Sequence, residues 1–167
     1  MDDPVLSRRS IRTYTTQPVS DEQVERLLRA AMAAPSAGNQ QPWRFIVVTD
    51  HDTLAAIPSF HPYARMLSRT PAAIVVCALT ADLRWPDFRD QDCAAAVENI
   101  LIEAVALDLG AVWLGVHPLE ERVTGMRRLL GIPDDVIPFA VVALGHPAEA
   151  KEPAARFDPE RVHRERW

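Results

Sequence analysis

The stretch AAPSAGNQQPWRFIVV, residues 33–48, connects a helical pattern to an apolar strand, and the interpretation of the chain depends on it. A short turn of Gly and Asp would suffice for such a connection, yet this loop carries Pro, Ser, amide and aromatic residues. Asn39, Gln40 and Gln41 bring amide donors and acceptors, which can bind the edge of a flat heterocycle. The loop is therefore a candidate ligand-binding segment.

A structural interpretation of the same loop stays open. Its amides can satisfy the loop backbone, and Trp43 can anchor the strand in the core. Ser36 and Gly38 let another group approach the backbone closely. No histidine or other base stands in a recognisable relation to Ser36, so we expect its hydroxyl to hydrogen-bond within the loop rather than to act as a nucleophile.

Helical and strand patterns alternate on both sides of this loop. Ser20 and Gln23 form a predicted capping box, and residues 24–31 follow a helical period after it. Residues 45–48 are typical of a buried strand. The other predicted elements are short helices at 52–57 and 63–69, strands at 71–79, 111–116 and 136–145, and helices at 90–110 and 118–131. This order suits an α/β or α+β sandwich with helices packed on a four-stranded sheet.

The longest predicted helix, residues 90–110, is apolar around nearly its whole circumference. Asp92 is its predicted cap, and Gly110 is predicted to end it in a left-handed conformation. A helix of this kind requires burial on most sides, so we expect a second subunit to cover part of it. The tail from His146 onward has no core pattern, and it is either disordered or packed on another surface.

Composition limits the functions open to the chain. Its 167 residues suit one domain, 1–167, and a net charge of −5 gives no case for binding nucleic acid or an anionic membrane. Cys77 and Cys93 match no zinc or redox spacing, so we expect free thiols and no metal site. The chain has no signal-peptide pattern and no apolar run of membrane-spanning length. We therefore expect a cytoplasmic protein.

Conventional catalytic motifs are missing from the sequence. It has no glycine-rich dinucleotide fingerprint, no P-loop, no nucleophile elbow and no zinc-protease motif. The five histidines are scattered, and three of them precede a proline: His61, His117 and His146. We expect these histidines in turns or at the surface, with no role as bases or ligands.

Two further segments are candidates for binding. SRRSIRTY, residues 7–14, offers planar arginine donors suited to phosphate, although a solvated basic terminus would have the same composition. LGAVWLGVHP, residues 109–118, ends an apolar strand at Leu114 and Gly115, where a small residue would let a planar ring lie against the backbone. The alternative there is an ordinary strand with a glycine at its rim.

In this order and spacing, the three segments resemble the nitroreductase family of flavoproteins. RRSIRTY and PSAGNQQPWRFIVV are similar to the family's first two motifs, and DCAAAVENILIEAVALDLGAVWLG resembles its central helix and following strand. ALGHP and RFDPERVHRERW resemble its last strand and tail. The resemblance extends over essentially the whole chain.

The resemblance implies a three-layer α+β fold with a mostly antiparallel central sheet, and a C-terminal tail that extends onto a partner subunit. It implies a homodimer with interface active sites, FMN as cofactor, and NADH or NADPH as electron donor. Electrons would pass to nitroaromatic, quinone or similar small-molecule acceptors in a ping-pong cycle. The chemistry would belong to FMN, with no catalytic side chain required. The implied FMN-binding residues are Arg8, Arg9, Ser10, Arg12, Pro35, Ser36, Ala37, Asn39, Gln41, Leu114, Gly115 and Arg156.

Individual roles follow from the same resemblance. Arg8 to Arg12 would hold the phosphate, ribityl chain and pyrimidine edge, and residues 35–41 would reach the flavin from the partner subunit. Leu114 and Gly115 would lie beside the reactive N5 edge, where a backbone N–H could bind N5. Arg156 would close on the phosphate.

The sequence departs from the family pattern at two positions and in its length. Asp108 stands where the family often has Gly, and Ala154 where many members carry a basic residue. The short chain has no room for a helical insertion over the substrate, which implies an open acceptor site. Two other interpretations remain: a specialised flavin enzyme for dehalogenation, flavin fragmentation or dehydrogenation, and a flavin-binding protein without turnover.

Overall fold

The middle layer of the protein is a four-stranded sheet. The computed structural model describes residues 3–167. The strands are β1 (Trp43–Val48), β2 (Ala72–Leu79), β3 (Gly110–Gly115) and β4 (Val136–Gly145). They lie in the order β1–β2–β4–β3, and every neighbouring pair is antiparallel. Strand β3 is therefore at one edge, and the end of this strand carries Leu114 and Gly115.

Helices cover both faces of the sheet. They are α1 (Pro4–Ser7), α2 (Asp21–Met32), α3 (His51–Ala56), α4 (Arg89–Ala106) and α5 (Glu120–Leu130). Because side chains alternate along a strand, Ile74 and Val76 of β2 pack with α2 and α4, whereas Val75 and Cys77 pack on the opposite side with α3 and α5. Burial on both faces explains why β2 is a continuous apolar run in the sequence. The predicted three-layer α+β fold is confirmed.

The predicted start of α2 is also confirmed. The Ser20 hydroxyl accepts a hydrogen bond from the Gln23 N–H at 3.2 Å, and the Gln23 side chain accepts one from the Ser20 N–H at 3.0 Å. This reciprocal pair is a capping box. The predicted helix at 63–69 is instead a short 3₁₀ turn, Arg65–Arg69.

Both predicted ends of the long helix α4 are wrong. It begins at Arg89, and Asp92 lies inside its first turn as a buried residue that does not cap it. It ends at Ala106, and the left-handed residue that follows is Asp108, with φ of 56°. Gly110 instead opens β3, where a Cβ would lie 2.7 Å from Ile11 Cγ2. Asp tolerates the left-handed conformation because its short side chain can hydrogen-bond locally, so the chain needs no glycine at 108.

The long helix and the tail differ in how far their own chain covers them. Helix α4 packs on α1, α2 and the sheet, so most of its circumference is covered within one chain. The tail first pairs with the N-terminal segment, at Pro147 and Ala148, but further along it the Phe157 side chain is 86% exposed. Trp167 is fully exposed. Within residues 3–167, none of the helices has the length and apolar content needed to cross a membrane.

Candidate cofactor site

The N-terminal arginine segment runs beside the edge strand β3. Ser10 and Ala111 form a parallel bridge, and the Ile11 N–H donates to the Ala111 carbonyl at 3.0 Å. This pairing carries Arg12 to the end of β3, where it lines a cavity of about 750 Å³ together with Leu114 and Gly115. The structure thus brings Arg12 together with Leu114 and Gly115, predicted site residues more than a hundred positions later in the sequence.

Gly115 leaves one wall of this cavity open. A Cβ built on this residue would have no heavy atom within 4 Å, and the residue is exposed. The other lining residues come from the segment after α3 and from α5: His61, Pro62, Tyr63, Arg65, Met66, Trp113 and Arg122. Arg122 lies over the Tyr63 ring, 5.5 Å from its centroid. A flat ligand could therefore lie against the backbone at Gly115.

The cavity is positively charged. Arg12, Arg65 and Arg122 line it, and no carboxylate is among its described lining residues. Arg12 and Arg65 have no salt-bridge partner within residues 3–167, so their charge is available to a ligand. Such a cavity favours a ligand with oxygen or anionic groups.

The start of the tail fixes the backbone that presents Arg12. The Glu149 carboxylate accepts hydrogen bonds from the N–H groups of Arg12 and Thr13, at 2.5 and 3.1 Å. Lys151, the only lysine in the chain, donates to the Ser10 carbonyl at 2.6 Å. The Arg12 hydrogen bond is the main reason that the pKa of Glu149 lies below its usual value. These contacts order the arginine segment before any ligand binds.

Arg8 and Arg156 lie together elsewhere, at a smaller cavity of about 180 Å³. Ala154 and Phe157 of the tail line it as well. Arg8 also forms a salt bridge with Glu98 of α4, at 3.3 Å. Arg9 is half-buried and is not among the described residues that line either cavity. A second basic pocket therefore exists where the resemblance implies a phosphate.

The loop of residues 35–41 is held by Asp92. Its buried carboxylate accepts hydrogen bonds from the Ala37 N–H at 2.9 Å and from the Gln40 amide at 2.7 Å. The Gln40 side chain also exchanges hydrogen bonds with the backbone N–H and carbonyl of Trp85, at 3.0 and 2.9 Å. Gln40 is therefore a structural residue, as the structural interpretation of the loop allowed.

Asn39 and Gln41, in contrast to Gln40, have a strained backbone and hydrogen-bond to each other. Both have positive φ angles, 55° and 47°, as does Gly38 between Ala37 and Asn39. The Gln41 amide donates to Asn39 Oδ1 at 3.0 Å, and the Ser36 hydroxyl accepts from the Gln41 N–H at 3.0 Å. The expected hydrogen-bonding role of Ser36 is thus observed, and these hydrogen bonds hold the strained backbone of Asn39 and Gln41 in place.

The loop does not reach the Gly115 cavity of its own chain. None of the predicted loop residues, Pro35 to Gln41, is among the described residues that line that cavity. Ala37 and Gly38 instead border an open depression of about 510 Å³ with Arg84, Trp85 and Phe88. The predicted site residues are thus divided between three places on one chain.

His61 lies in a turn, as expected, because its carbonyl accepts a hydrogen bond from the Ala64 N–H at 2.9 Å, but it is not at the surface. Its side chain is buried, 1% exposed, and its Nε2 lies 2.9 Å from the Gly115 carbonyl oxygen. His117 and His146 are half-buried at the surface. Sequence reasoning also missed Arg65, Arg122, Glu149 and Lys151, since these contacts join distant segments and leave no local pattern. Within residues 3–167, no group of three or more His, Cys, Asp or Glu side chains could hold a metal ion.

Comparison with known proteins shows the family of this chain. The model of the nitroreductase family matches residues 5–68 and 59–146. A protein of Archaeoglobus fulgidus with the provisional name NADH dehydrogenase/NAD(P)H nitroreductase is 50% identical over 98% of this chain and 96% of its own length.

Solved structures give the same result. A Clostridium acetobutylicum structure, provisionally named an NADH oxidase, is 45% identical, with a TM-score of 0.95 over 99% of this chain and all of that one. An FMN-dependent nitroreductase from Clostridium difficile is 27% identical, with a TM-score of 0.92 over the full length of both chains. The chain belongs to the nitroreductase family.

Proposed function

We propose that the protein is an NAD(P)H-dependent flavin oxidoreductase that binds FMN with its ring in the Gly115 cavity. The observation that carries this proposal is the open wall at Gly115, which lies beside Arg12 at the edge of the sheet. Relatives with shared fold and sequence bear the names nitroreductase and FMN-dependent nitroreductase. The family, the fold and the cavity therefore support the same enzyme class.

The residues present fit FMN on three counts. The cavity of about 750 Å³ is large enough for a ring system, and glycine leaves its backbone wall free of side chains. Arg12 and Arg65 supply donors for the carbonyl and nitrogen atoms of the ring's pyrimidine edge. Arg8 and Arg156 supply positive charge for the phosphate.

The protein's own groups would orient and tune the cofactor. FMN, when bound, supplies the hydride chemistry between NAD(P)H and an electron acceptor. The positive charge of Arg12 and Arg65 favours added negative charge on a bound ring, since opposite charges attract most strongly in a partly desolvated site. The Gly115 N–H lies on the free edge of β3 and can donate to a ring nitrogen. No side chain is needed as acid, base or nucleophile.

The acceptor side of the proposal is a nitroaromatic, quinone or similar flat compound. The cavity is wide and open to solvent, so donor and acceptor can use it in turn, as a ping-pong cycle requires. Tyr63, which is largely exposed at its rim, offers an aromatic surface for such compounds.

We infer a homodimer in which residues 35–41 of one subunit complete the Gly115 cavity of the other. The loop is rigid, faces away from its own cavity, and holds strained Asn39 and Gln41 at its tip. The tail supports the same arrangement, because the side chains of Phe157 and Trp167 are largely exposed on their own chain. Pro35, Ser36, Ala37, Asn39 and Gln41 would then contact FMN across the interface.

We further infer one domain, 1–167, in a reducing, cytoplasmic setting. The two core clusters share the same sheet, and both cysteines are free thiols. Thiols stay free in a reducing compartment. Small-molecule electron acceptors would be the partners that bind in the cavity.

Anaerobic titration with NADH and with NADPH tests the proposed activity. The purified protein should be yellow, bind FMN, and lose its flavin absorbance on addition of either nicotinamide. Reoxidation by a panel of nitro and quinone compounds would then define the acceptor. A protein that does not take up FMN would refute the proposal, and one that binds FMN but resists reduction would be a flavin-binding protein without turnover.

The double variant Arg8→Ala/Arg156→Ala tests the phosphate pocket. Both side chains are at least partly exposed, so the fold should persist while FMN is lost. A double variant that retains FMN as tightly as wild type would place the phosphate elsewhere.

A further inference from the structure

The carbonyl oxygen of Gly115 has two strong donors from outside its sheet. His61 Nε2 lies 2.9 Å from it, and Arg122 Nη1 lies 2.8 Å from it. His61 follows the 3₁₀ turn after α3, and Arg122 belongs to α5, so two separate elements converge on one backbone atom. A carbonyl oxygen only accepts hydrogen bonds, and therefore the proton of a neutral His61 ring is on Nε2.

The surroundings of His61 keep its ring neutral. Its other nitrogen, Nδ1, is buried and has no hydrogen-bond partner within residues 3–167, so a second proton there would lack an acceptor. Burial lowers the pKa of His61, and the nearby Arg122 charge lowers it further. The ring is thus a fixed single donor.

This contact determines how the Gly115 peptide is presented. Val116, the next residue, donates its N–H to the Phe139 carbonyl of β4 at 3.1 Å. Since successive residues of a strand direct their backbone groups to opposite sides, the N–H and carbonyl of Gly115 both face the free edge of β3. The two groups belong to the peptide units on either side of the Gly115 Cα, so anchoring the carbonyl restrains one unit and limits how far the backbone at Gly115 can turn the N–H at the cavity wall.

We propose that His61 is a positioning residue that, with Arg122, restrains the backbone at Gly115 so that the Gly115 N–H donates to the N5 position of bound FMN. This inference rests on the proposed function. Glycine is flexible and Gly115 has no side chain to pack, so the peptide needs an external anchor. N5 accepts a hydrogen bond when FMN is oxidised and carries its own hydrogen when FMN is reduced. The anchored N–H thus favours the oxidised cofactor.

Two substitutions of His61 separate its donor from its bulk. His61→Leu keeps an apolar side chain in the buried space and removes the donor, whereas His61→Gln places an amide N–H near the position of Nε2. We expect His61→Leu to weaken the binding of oxidised FMN about tenfold, the size of one hydrogen bond. The midpoint potential should rise by about 30 mV, since that is a tenfold change for two electrons. His61→Gln should restore most of both values.

The chain offers a matched control in His51. Its Nε2 also lies near a backbone carbonyl, that of Ser68, at 3.2 Å, but His51 is exposed and is not among the described lining residues of the cavity. His51→Leu should leave the affinity for FMN and its potential unchanged.

The outcomes distinguish this inference from the proposed function. If wild type and His51→Leu bind FMN, and His61→Leu binds it equally tightly with the same potential, the positioning role is wrong while the function stands. If wild type binds no FMN, the function itself fails. Should His61→Leu not fold, Arg122→Met removes the other donor from a half-buried position, and an unchanged affinity and potential in that variant would overturn the inference.

Discussion

The end of β3 and the loop of residues 35–41 are both held by hydrogen bonds from distant segments, but only the end of β3 lines the Gly115 cavity of its own chain. At Gly115, His61 and Arg122 fix a backbone group in a charged cavity. At the loop, Asp92 fixes Ala37 and Gln40, and the ordered surface faces outward. One region lines a charged cavity, and the other is an ordered surface that borders only an open depression.

This difference indicates what the loop is for. Strained residues such as Asn39 and Gln41 persist only where the surroundings determine their conformation, and such strain concentrates at functional sites. A buried carboxylate maintained to hold an outward-facing loop is most simply explained if the loop serves another subunit. The predictions below test the two regions separately, starting with the largest expected effect.

Removing the carboxylate of Asp92 should have the largest effect. Asp92→Ala leaves the Ala37 N–H and the Gln40 amide without their buried acceptor, which should lower the free energy of unfolding by about 2–4 kcal/mol. The neighbouring Asp90→Ala is the control, since Asp90 pairs with Arg89 and His117 at a more exposed position and should cost less than about 1 kcal/mol. Urea unfolding of both variants measures this, and equal losses would show that Asp92 does not anchor the loop.

Filling the wall of the cavity should affect binding and leave stability unchanged. Gly115→Val places its side chain where no heavy atom lies within 4 Å, so the fold should be retained. FMN binding should weaken tenfold to a hundredfold, from an overpacking cost of about 1–3 kcal/mol. Gly131→Ala gives the opposite signature: its φ of 65° costs about 1 kcal/mol of stability, and its FMN affinity should match wild type. Tight FMN binding by Gly115→Val would place the ring elsewhere.

Acidification should lower the stability of the protein through His61, by less than the two preceding substitutions change stability or binding. Because its pKa is lower in the folded protein than in the unfolded chain, the unfolded chain binds the proton first as the pH falls below about 6.5. Stability is therefore fully present above that pH and declines as the pH falls toward the folded pKa. The charges facing His61 are Arg122 of α5 and, across the cavity, Arg12 and Arg65. His61→Gln should show a shallower decline between pH 7 and pH 5 in urea unfolding than wild type, and identical slopes would contradict this.

The smallest expected effect is on the local opening of each side of the sheet. The reactivity of the two cysteine thiols measures this opening. Burial raises the pKa of both Cys77 and Cys93 to about 12, so neither thiol should react with iodoacetamide in the native protein near neutral pH. Cys93 packs on the α2 side of the sheet and follows Asp92, whereas Cys77 packs on the α5 side. In Asp92→Ala, mass spectrometry should therefore detect labelling of Cys93 before Cys77. Labelling in the reverse order would indicate that Asp92 does not control the local opening of the α2 side of the sheet.

The sequence allowed the fold and the family to be predicted, but not the contacts that hold the candidate site. The capping box at Ser20 and the apolar run of β2 are local patterns, and the structure confirms both. The family was identified from motif order and is confirmed by the comparisons. The FMN contacts of the predicted residues stay a prediction.

The errors have a common physical cause. Asp92 resembled a cap because only its neighbours were considered, yet its partners lie more than fifty positions away in the loop. His61 is in a turn, as predicted, but its burial against Gly115, 54 positions distant, was missed. Gly110 resembled a helix end because glycine is common there, whereas Asp108 takes that conformation and Gly110 is needed for the close approach of Ile11. Such contacts form only when the sheet brings distant segments together.

The central claim is that the loop of one subunit completes the Gly115 cavity of the other, and subunit exchange tests it most directly. Gly115→Val disables the cavity, and Asn39→Asp/Gln41→Glu replaces both loop amides with carboxylates of the same shape, so each variant alone should bind FMN poorly. In an equal mixture of exchanged dimers, the claim predicts that about a quarter of the cavities regain wild-type affinity for FMN, because each mixed dimer has one site free of both defects. If the loop and cavity of one chain form the same site, no mixed dimer has an intact site, and recovery of FMN binding would be absent.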